Sequence, residues 1–280
     1  MPHRPRLERT RGWSKIASAI WHPPDDPQIF GDLEIDATAL LEFMHDARQH
    51  AGVHLTPTHV VGRAVAHAMG RFPGSNAHIA FDRLIRHDTI EIFFVVQPEE
   101  SRELSGVKVE HADEKTAVEI ARELGRRVRD IRGGEDELDA AKSLLDLVPT
   151  PVFRAALKVI SFFASDLGAD LAALGVPAHT FGSALVTSVG MFGIRHAYAP
   201  LSSFYRVPAC VLVNEITKKA VVVDDEIVIR PIMTLSATLD HRVIDGLQAA
   251  NLMSAVEEYC QSPWDFDPDV PRGVDRHPSS

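Results

Sequence analysis

Apolar positions recur at helical spacing in several stretches of the chain. Asp36 is placed to cap a helix whose residues Leu40, Phe43, Met44 and Ala47 fall on one face. Thr56-Pro57 is a cap followed by a proline at the first helical position. Behind it Val61, Ala64, Val65, Ala68 and Met69 form one stripe, which Pro73-Gly74 ends. Thr116 and Glu119 have capping-box spacing. The helix they open carries Ala117, Ile120, Leu124, Val128 and Ile131 and stops at Gly133-Gly134. Strand patterns interleave with these helices. Residues 89–96 (TIEIFFVV) are β-branched and aromatic, which predicts a largely buried strand, and 105–110 alternate through Val107 and Val109. The last third reads as strands over 183–189, 209–216, 220–223, 226–230 and 233–239. Asp224-Asp225 falls at a tight hairpin turn that lacks the usual glycine. The final strand runs into Asp240-His241-Arg242-Val243-Ile244-Asp245-Gly246. A helix then follows through Ala249, Leu252, Met253, Val256 and Tyr259.

Between about residues 135 and 181 the pattern changes. Pro149 and Pro151 precede a run of large apolar side chains: Val152, Phe153, Leu157, Val159, Ile160, Phe162 and Phe163. Arg154, Lys158, Ser161 and Ser165 make one polar stripe on that helix. Its apolar face needs cover from the protein's own core, a membrane surface or a hydrophobic substrate channel. Two cations in the run speak against a transmembrane span.

Composition narrows the function classes. The chain has 280 residues, 45% of them hydrophobic and 24% charged, which is ordinary globular composition. Lys and Arg number 29 against 39 Asp and Glu, a net charge of −10. So acidic a chain lacks the cationic surface from which sequence-independent nucleic-acid binding draws its affinity. Cys210 and Cys260 cannot form a disulfide framework. With no signal peptide and no apolar stretch of about 18 residues, this implies a cytoplasmic protein. Arg4, Arg6, Arg9 and Arg11 mark residues 1–29 as a basic arm, either solvated or lending an arginine to a partner carboxylate. Residues 30–262 form one domain, and the Pro- and Asp-rich 263–280 reads as a C-terminal tail.

The candidate chemistry lies at the last strand-to-helix junction. His241, Asp245 and Gly246 make an H-x-x-x-D-G pattern. A neutral imidazole, with its ordinary pKa near 6.5, suits a general base at physiological pH. His45, His50, His54, His59 and His67 show no ligand spacing beside acidic partners, and no metal is expected.

The unbroken string DHRVIDG, with a strand before it and an amphipathic helix after it, resembles the signature of the dihydrolipoyl acyltransferases of 2-oxoacid dehydrogenase complexes. Chloramphenicol acetyltransferase shares that fold and motif core. The resemblance continues through FPGSNAHI (72–79), SGVKVEHADEKTAVEIAREL (105–124), LVTSVGMFG (185–193) and VVVDDEIVIRPIMTLSATLDHRVIDG (221–246). It implies an α/β fold, a two-layer sandwich with a mixed sheet and an active site at a trimer interface. It also implies acyl transfer between a coenzyme A thioester and a thiol, the lipoyl group arriving in trans on a carrier or dehydrogenase partner. His241 would be the base. Thr187, with Ser188 beside it, stands where the family has the serine that supports the oxyanion. Both hydroxyls also suit ordinary strand residues satisfied by the backbone. Asp245 would be structural, as a helix cap or paired with an arginine. Arg242 would belong to the same structural set, and Gly246 would allow close helix packing. Against the family pattern the chain reads as a bare catalytic core, without lipoyl or subunit-binding domains. It also carries the apolar insertion, whose place before the Thr187 strand favours a lid or wall for a medium or long acyl chain. Ester- or amide-forming transfer from acyl-CoA to a small acceptor, and a non-catalytic assembly protein, are the competing functions. The intact motif weighs against the second, because a scaffold has no use for the histidine.

Overall fold

The computed structural model describes residues 28–80, 83–96, 105–132, 150–163, 181–201 and 206–273, with 167 and 169. Of the sequence features above, the basic arm before 28, the segment 133–149 and most of 164–180, Ser165 included, lie outside this range.

Nine strands and six helices alternate along the described chain. They are β1 (Gln28–Asp36), α1 (Thr38–His50), α2 (Pro57–Arg71), β2 (Ala77–Ala80), β3 (Arg83–Arg86), β4 (Ile92–Val96), β5 (Ser105–Val109) and α3 (Ala117–Arg132). There follow α4 (Thr150–Ser161), β6 (Ala184–Ser188), β7 (Ala209–Val213), β8 (Thr217–Val223), β9 (Glu226–Asp240), α5 (Gly246–Gln261) and α6 (Pro263–Phe266). The main sheet runs β1-β9-β7-β6-β4-β5, with β8 paired to β9; β2 and β3 make a separate hairpin. β6 is parallel to both β4 and β7, and the other pairs are antiparallel, so the sheet is mixed.

Alternation along β6 and β7 splits the side chains between two faces. Val186, Val211 and Val213 join the large core under α1, α2, α3 and α5. Leu185, Cys210 and Leu212 point the other way, into a smaller cluster closed by Leu201 and Val207. The expected helical stripes face the large core: Leu40, Phe43 and Ala47 from α1, and Val61, Ala64, Val65, Ala68 and Met69 from α2, are buried.

Several elements differ from the sequence expectation. β1 was not expected, although Ile29, Gly31, Leu33 and Ile35 alternate along it; exposed Phe30 and the small Gly31 blur the pattern. It pairs with β9 over its whole length, from Gln28 opposite Asp240 to Asp36 opposite Ile232, so the arm ends before residue 28 and not at 29. The strands expected at 226–230 and 233–239 are one strand. Pro231 lacks an N–H, but it sits where β9 passes from β8 to β1, and its carbonyl accepts from Ala37 N–H at 2.8 Å. Asp224 and Asp225 do form the hairpin turn, with φ of 50° and 64°; aspartate tolerates this left-handed region better than most residues.

The stretch from 263, expected to trail as a tail, packs down as far as Gly273. Trp264 meets the Phe43 ring edge-on at 5.6 Å. Asp267 is fully buried, and its carboxylate accepts from Ala117 N–H at 2.7 Å, at the start of α3. Gly273 N–H donates to Asp46 at 3.1 Å. In the insertion, α4 begins near the expected position. Among the described residues, Val152, Val159, Phe162 and Phe163 are exposed.

Candidate active site

His241 stands just beyond the C-terminal end of β9. The turn that carries it is closed by two backbone bonds, Val243 and Ile244 N–H to the Asp240 carbonyl at 3.0 and 2.9 Å. Val243 and Ile244 are buried and anchor the turn, while His241 is exposed. His241 Nδ1 lies 3.1 Å from the Ile244 carbonyl oxygen. A carbonyl only accepts, so in the neutral ring Nδ1 carries the proton and Nε2 presents its lone pair. That is the tautomer a general base needs.

Arg242 folds back on the strand end. Its Nε and Nη2 donate to the two Asp240 carboxylate oxygens at 2.9 and 2.7 Å, and its backbone N–H adds a third bond at 3.0 Å. Asp245 caps α5: it accepts from Gln248 N–H at 2.8 Å, and the Gln248 amide oxygen accepts from Asp245 N–H at 3.0 Å. Among the described residues no arginine pairs with Asp245. The arginine of the motif pairs with Asp240, and of the two roles expected for Asp245 the helix cap is the one seen. At Gly246 a Cβ would meet nothing within 4 Å, so close packing inside the protomer does not require glycine.

Thr187 and Ser188 close the C-terminal end of β6. Ser188 Oγ donates to the Val213 carbonyl at 3.3 Å. The Thr187 hydroxyl has no hydrogen-bond partner among the described residues. After them the chain turns sharply at Gly190, where a Cβ would lie 2.6 Å from the Asn214 carbonyl oxygen. Only glycine lets this turn lie against the end of β7. Both hydroxyl residues line a pocket of about 530 Å³ between the sheet end and the first turn of α2. Its walls include Phe94, Leu124, Met191 and Asn214, and from α2 it receives His59.

Sequence reasoning weighed His59 only as a metal ligand and set it aside. It occupies the third position of α2, where its Nδ1 accepts from Thr56 N–H at 3.0 Å. Burial lowers its imidazole to about 4, with His54 adding to the effect, so the ring is neutral at physiological pH. The available signal was the T-x-x-H spacing, with histidine in the capping-box position usually held by Glu or Gln.

The two candidate half-sites do not meet in one protomer. Ser188 pairs with Val213, which pairs with Leu235, six residues before His241 on an antiparallel strand. Six residues of strand span about 20 Å. Accordingly His241 does not line the Thr187 pocket. Exposed apolar side chains flank both halves: Leu247 beside the His241 turn, and Met191, Phe192 and Ile194 after Ser188. Burial pushes the Cys210 and Cys260 thiols up to about 12, so neither is a competing nucleophile.

Against known families, residues 25–141 and 175–266 match the catalytic domain of the 2-oxoacid dehydrogenases acyltransferases. The chain belongs to this family. The gap between the two matched stretches, 142–174, falls within the apolar insertion. The lipoamide acyltransferase component of the branched-chain α-keto acid dehydrogenase complex of Bacillus subtilis (strain 168) is 24% identical over 241 residues. These are 84% of this chain and 47% of that protein. The dihydrolipoyllysine-residue acetyltransferase component of the Rickettsia felis pyruvate dehydrogenase complex is 22% identical, over 85% of this chain and 48% of that one. The chain therefore spans about half the length of the curated relatives it matches. The fold is that of acyltransferase cores. The cubic core of a pyruvate dehydrogenase multienzyme complex superposes with a TM-score of 0.62 at 19% identity, covering 86% of this chain and 84% of that one. A truncated catalytic core from the Thermoplasma acidophilum 2-oxoacid dehydrogenase complex gives 0.58 at 18%, covering 92% and 99%.

Proposed function

We propose that this chain is an acyltransferase that moves an acyl group between coenzyme A and a dihydrolipoyl thiol, at sites shared by neighbouring copies in a trimer or a multiple of three. The observation that carries the reading is the His241 turn, with Nδ1 bound to the Ile244 carbonyl and Nε2 left basic. The separation of His241 from the Thr187 pocket supports a shared site, and so does the apolar surface beside each half.

His241 Nε2 takes the proton from the incoming thiol, and the thiolate attacks the thioester carbonyl. The carbonyl π electrons move to oxygen, and the oxyanion needs a donor. Thr187 from a neighbouring copy fits that role better than Ser188, because the Ser188 proton is already given to Val213. When the intermediate collapses, the C–S bond to the leaving thiol breaks. The departing thiolate takes its proton from the His241 imidazolium, which returns the base to its starting state. Arg242 and Asp245 hold the turn and the start of α5 and do not touch the reacting atoms. The lipoyl arm would arrive on a carrier, and a 2-oxoacid dehydrogenase would supply its acyl group.

The test is to mix the purified protein with acetyl-CoA, and in parallel with longer and branched acyl-CoAs, and with dihydrolipoamide. Acyl-dihydrolipoamide and free coenzyme A are the expected products. Transfer only to hydroxyl or amine acceptors would replace this reading with ester or amide formation, and no transfer from any donor would leave an assembly protein.

A further inference from the structure

We propose that His59 is a substrate-binding residue, a neutral imidazole whose Nε2–H donates to an amide carbonyl oxygen of the thiol-bearing arm seated in the Thr187–Ser188 pocket. The proposal rests on the acyl-transfer reading and names a contact that the family signature does not contain.

The tautomer follows from the backbone. Thr56 N–H can only donate, so His59 Nδ1 must accept, and the proton of the neutral ring sits on Nε2. The Thr56 hydroxyl, 3.2 Å from the same nitrogen, can donate there as well. Nε2 has no protein partner among the described residues, and it is not among the polar atoms sealed off from solvent. His59 lines the pocket that Thr187 and Ser188 also line. The pocket therefore holds one oriented N–H donor without an acceptor.

The ring's neutrality selects the acceptor. An imidazolium would favour phosphate or carboxylate, whereas a neutral N–H suits a neutral oxygen. The reacting thioester carbonyl already has Thr187. The remaining neutral acceptors on both thiol substrates are amide carbonyls, set back from sulfur along a flexible chain. The apolar walls, Phe94, Leu124 and Met191, suit the methylenes between. Coenzyme A and the lipoyl arm share this chemistry, and the two thiols serve as separate arms of the test.

Three variants separate binding from capping. His59→Gln retains an acceptor for Thr56 N–H and an amide donor, and glutamine is the usual capping-box partner at this position. His59→Glu retains the acceptor and has no donor. His59→Leu has neither. Calorimetric Kd values for coenzyme A and for dihydrolipoamide, KM and kcat for each, and Tm are measured on all four proteins. A single neutral hydrogen bond corresponds to about a five- to tenfold change in Kd. For one of the two thiols, the Glu and Leu variants should bind about that much more weakly, with kcat at saturation within about twofold of wild type. The Gln variant should bind like wild type, and only the Leu variant should lose Tm. The thiol that responds identifies the arm that lies in the pocket. Equal binding in all four proteins, or weakening only in the Leu variant together with its Tm, would reduce His59 to a helix cap. Weakening of coenzyme A in the Glu variant alone would be charge repulsion and would also overturn the donor role. If the wild type neither binds nor transfers, the acyl-transfer reading fails and this contact falls with it. If the wild type binds and turns over while no variant shifts either Kd, the His59 proposal alone fails.

Discussion

Gly190→Ala tests how the Thr187–Ser188 half-site is held. A Cβ at this position would lie 2.6 Å from the Asn214 carbonyl oxygen, 2.7 Å from its carbon and 2.8 Å from Glu215 N. Ordinary contact starts at 3.4 Å, so the turn must retreat by about 0.8 Å from backbone that cannot swing aside. Overpacking of this kind costs about 1–3 kcal/mol. For a domain of this size that is a Tm loss of about 3–10 °C. The retreating turn carries Thr187 and Ser188, so turnover should fall more than the folded fraction does. Gly246→Ala is the control, since its Cβ would meet nothing within 4 Å of the same protomer. At the first position of α5 an alanine should leave stability unchanged or raise it by up to about 1 kcal/mol. Calorimetry at one fixed protein concentration compares the three proteins, because self-association makes Tm depend on concentration. A Gly190→Ala protein that melts within 1 °C of wild type would refute the argument from close approach.

Other outcomes follow from individual contacts. Asp245→Ala removes the α5 cap and should cost about 0.5–2 kcal/mol in denaturant unfolding, while Asp245→Asn keeps most of it. Thr187→Val should lower kcat by about 10²-fold or more, and Ser188→Ala by much less, if the free Thr187 hydroxyl meets the oxyanion; steady-state kinetics of the two variants decide it. The pH dependence of stability has a defined sign at His59. Its folded pKa, about 4, lies below the unfolded 6.5. Between these values the unfolded chain binds a proton that the native state refuses. The His59 contribution is therefore complete above pH 6.5 and is lost as pH falls towards 4, by about 2–3 kcal/mol. The fall in unfolding free energy between pH 7 and 5 should be shallower in His59→Gln.

Much of the fold was legible because helical stripes and caps are local signals. Thr56-Pro57, Thr116 with Glu119, and the motif leading into α5 all mark element starts with side chains that satisfy free N–H groups. β1 was not legible, because its partner β9 lies some 200 residues away and its own alternation is broken by Phe30 and Gly31. The segment after 262 misled through composition. Its prolines and aspartates suggest solvent, yet buried Asp267 is used as a remote cap for α3. At the candidate site the motif gave His241, Asp245 and Thr187 by resemblance, but no sequence pattern could assign Arg242 to Asp240 or free the Thr187 hydroxyl. His59 escaped for a related reason. A histidine is read as a base or a ligand, and its role as a neutral donor depends on which nitrogen the backbone has already used.

The central claim is that one catalytic site is built from two copies of the chain, and complementation tests it most directly. His241→Ala and the Thr187→Val/Ser188→Ala double variant should each fold with near wild-type Tm and lose about 100-fold or more of the activity. Denatured together in equal amounts and refolded, they assemble at random. A given site then has a one-half chance of an intact His241 and an independent one-half chance of an intact Thr187 from the neighbour. Activity should therefore return to about one quarter of that of refolded wild type, with a mass corresponding to three copies or a multiple of three. Mixed protein no more active than the separate variants, or full activity in a wild-type monomer, would contradict the account.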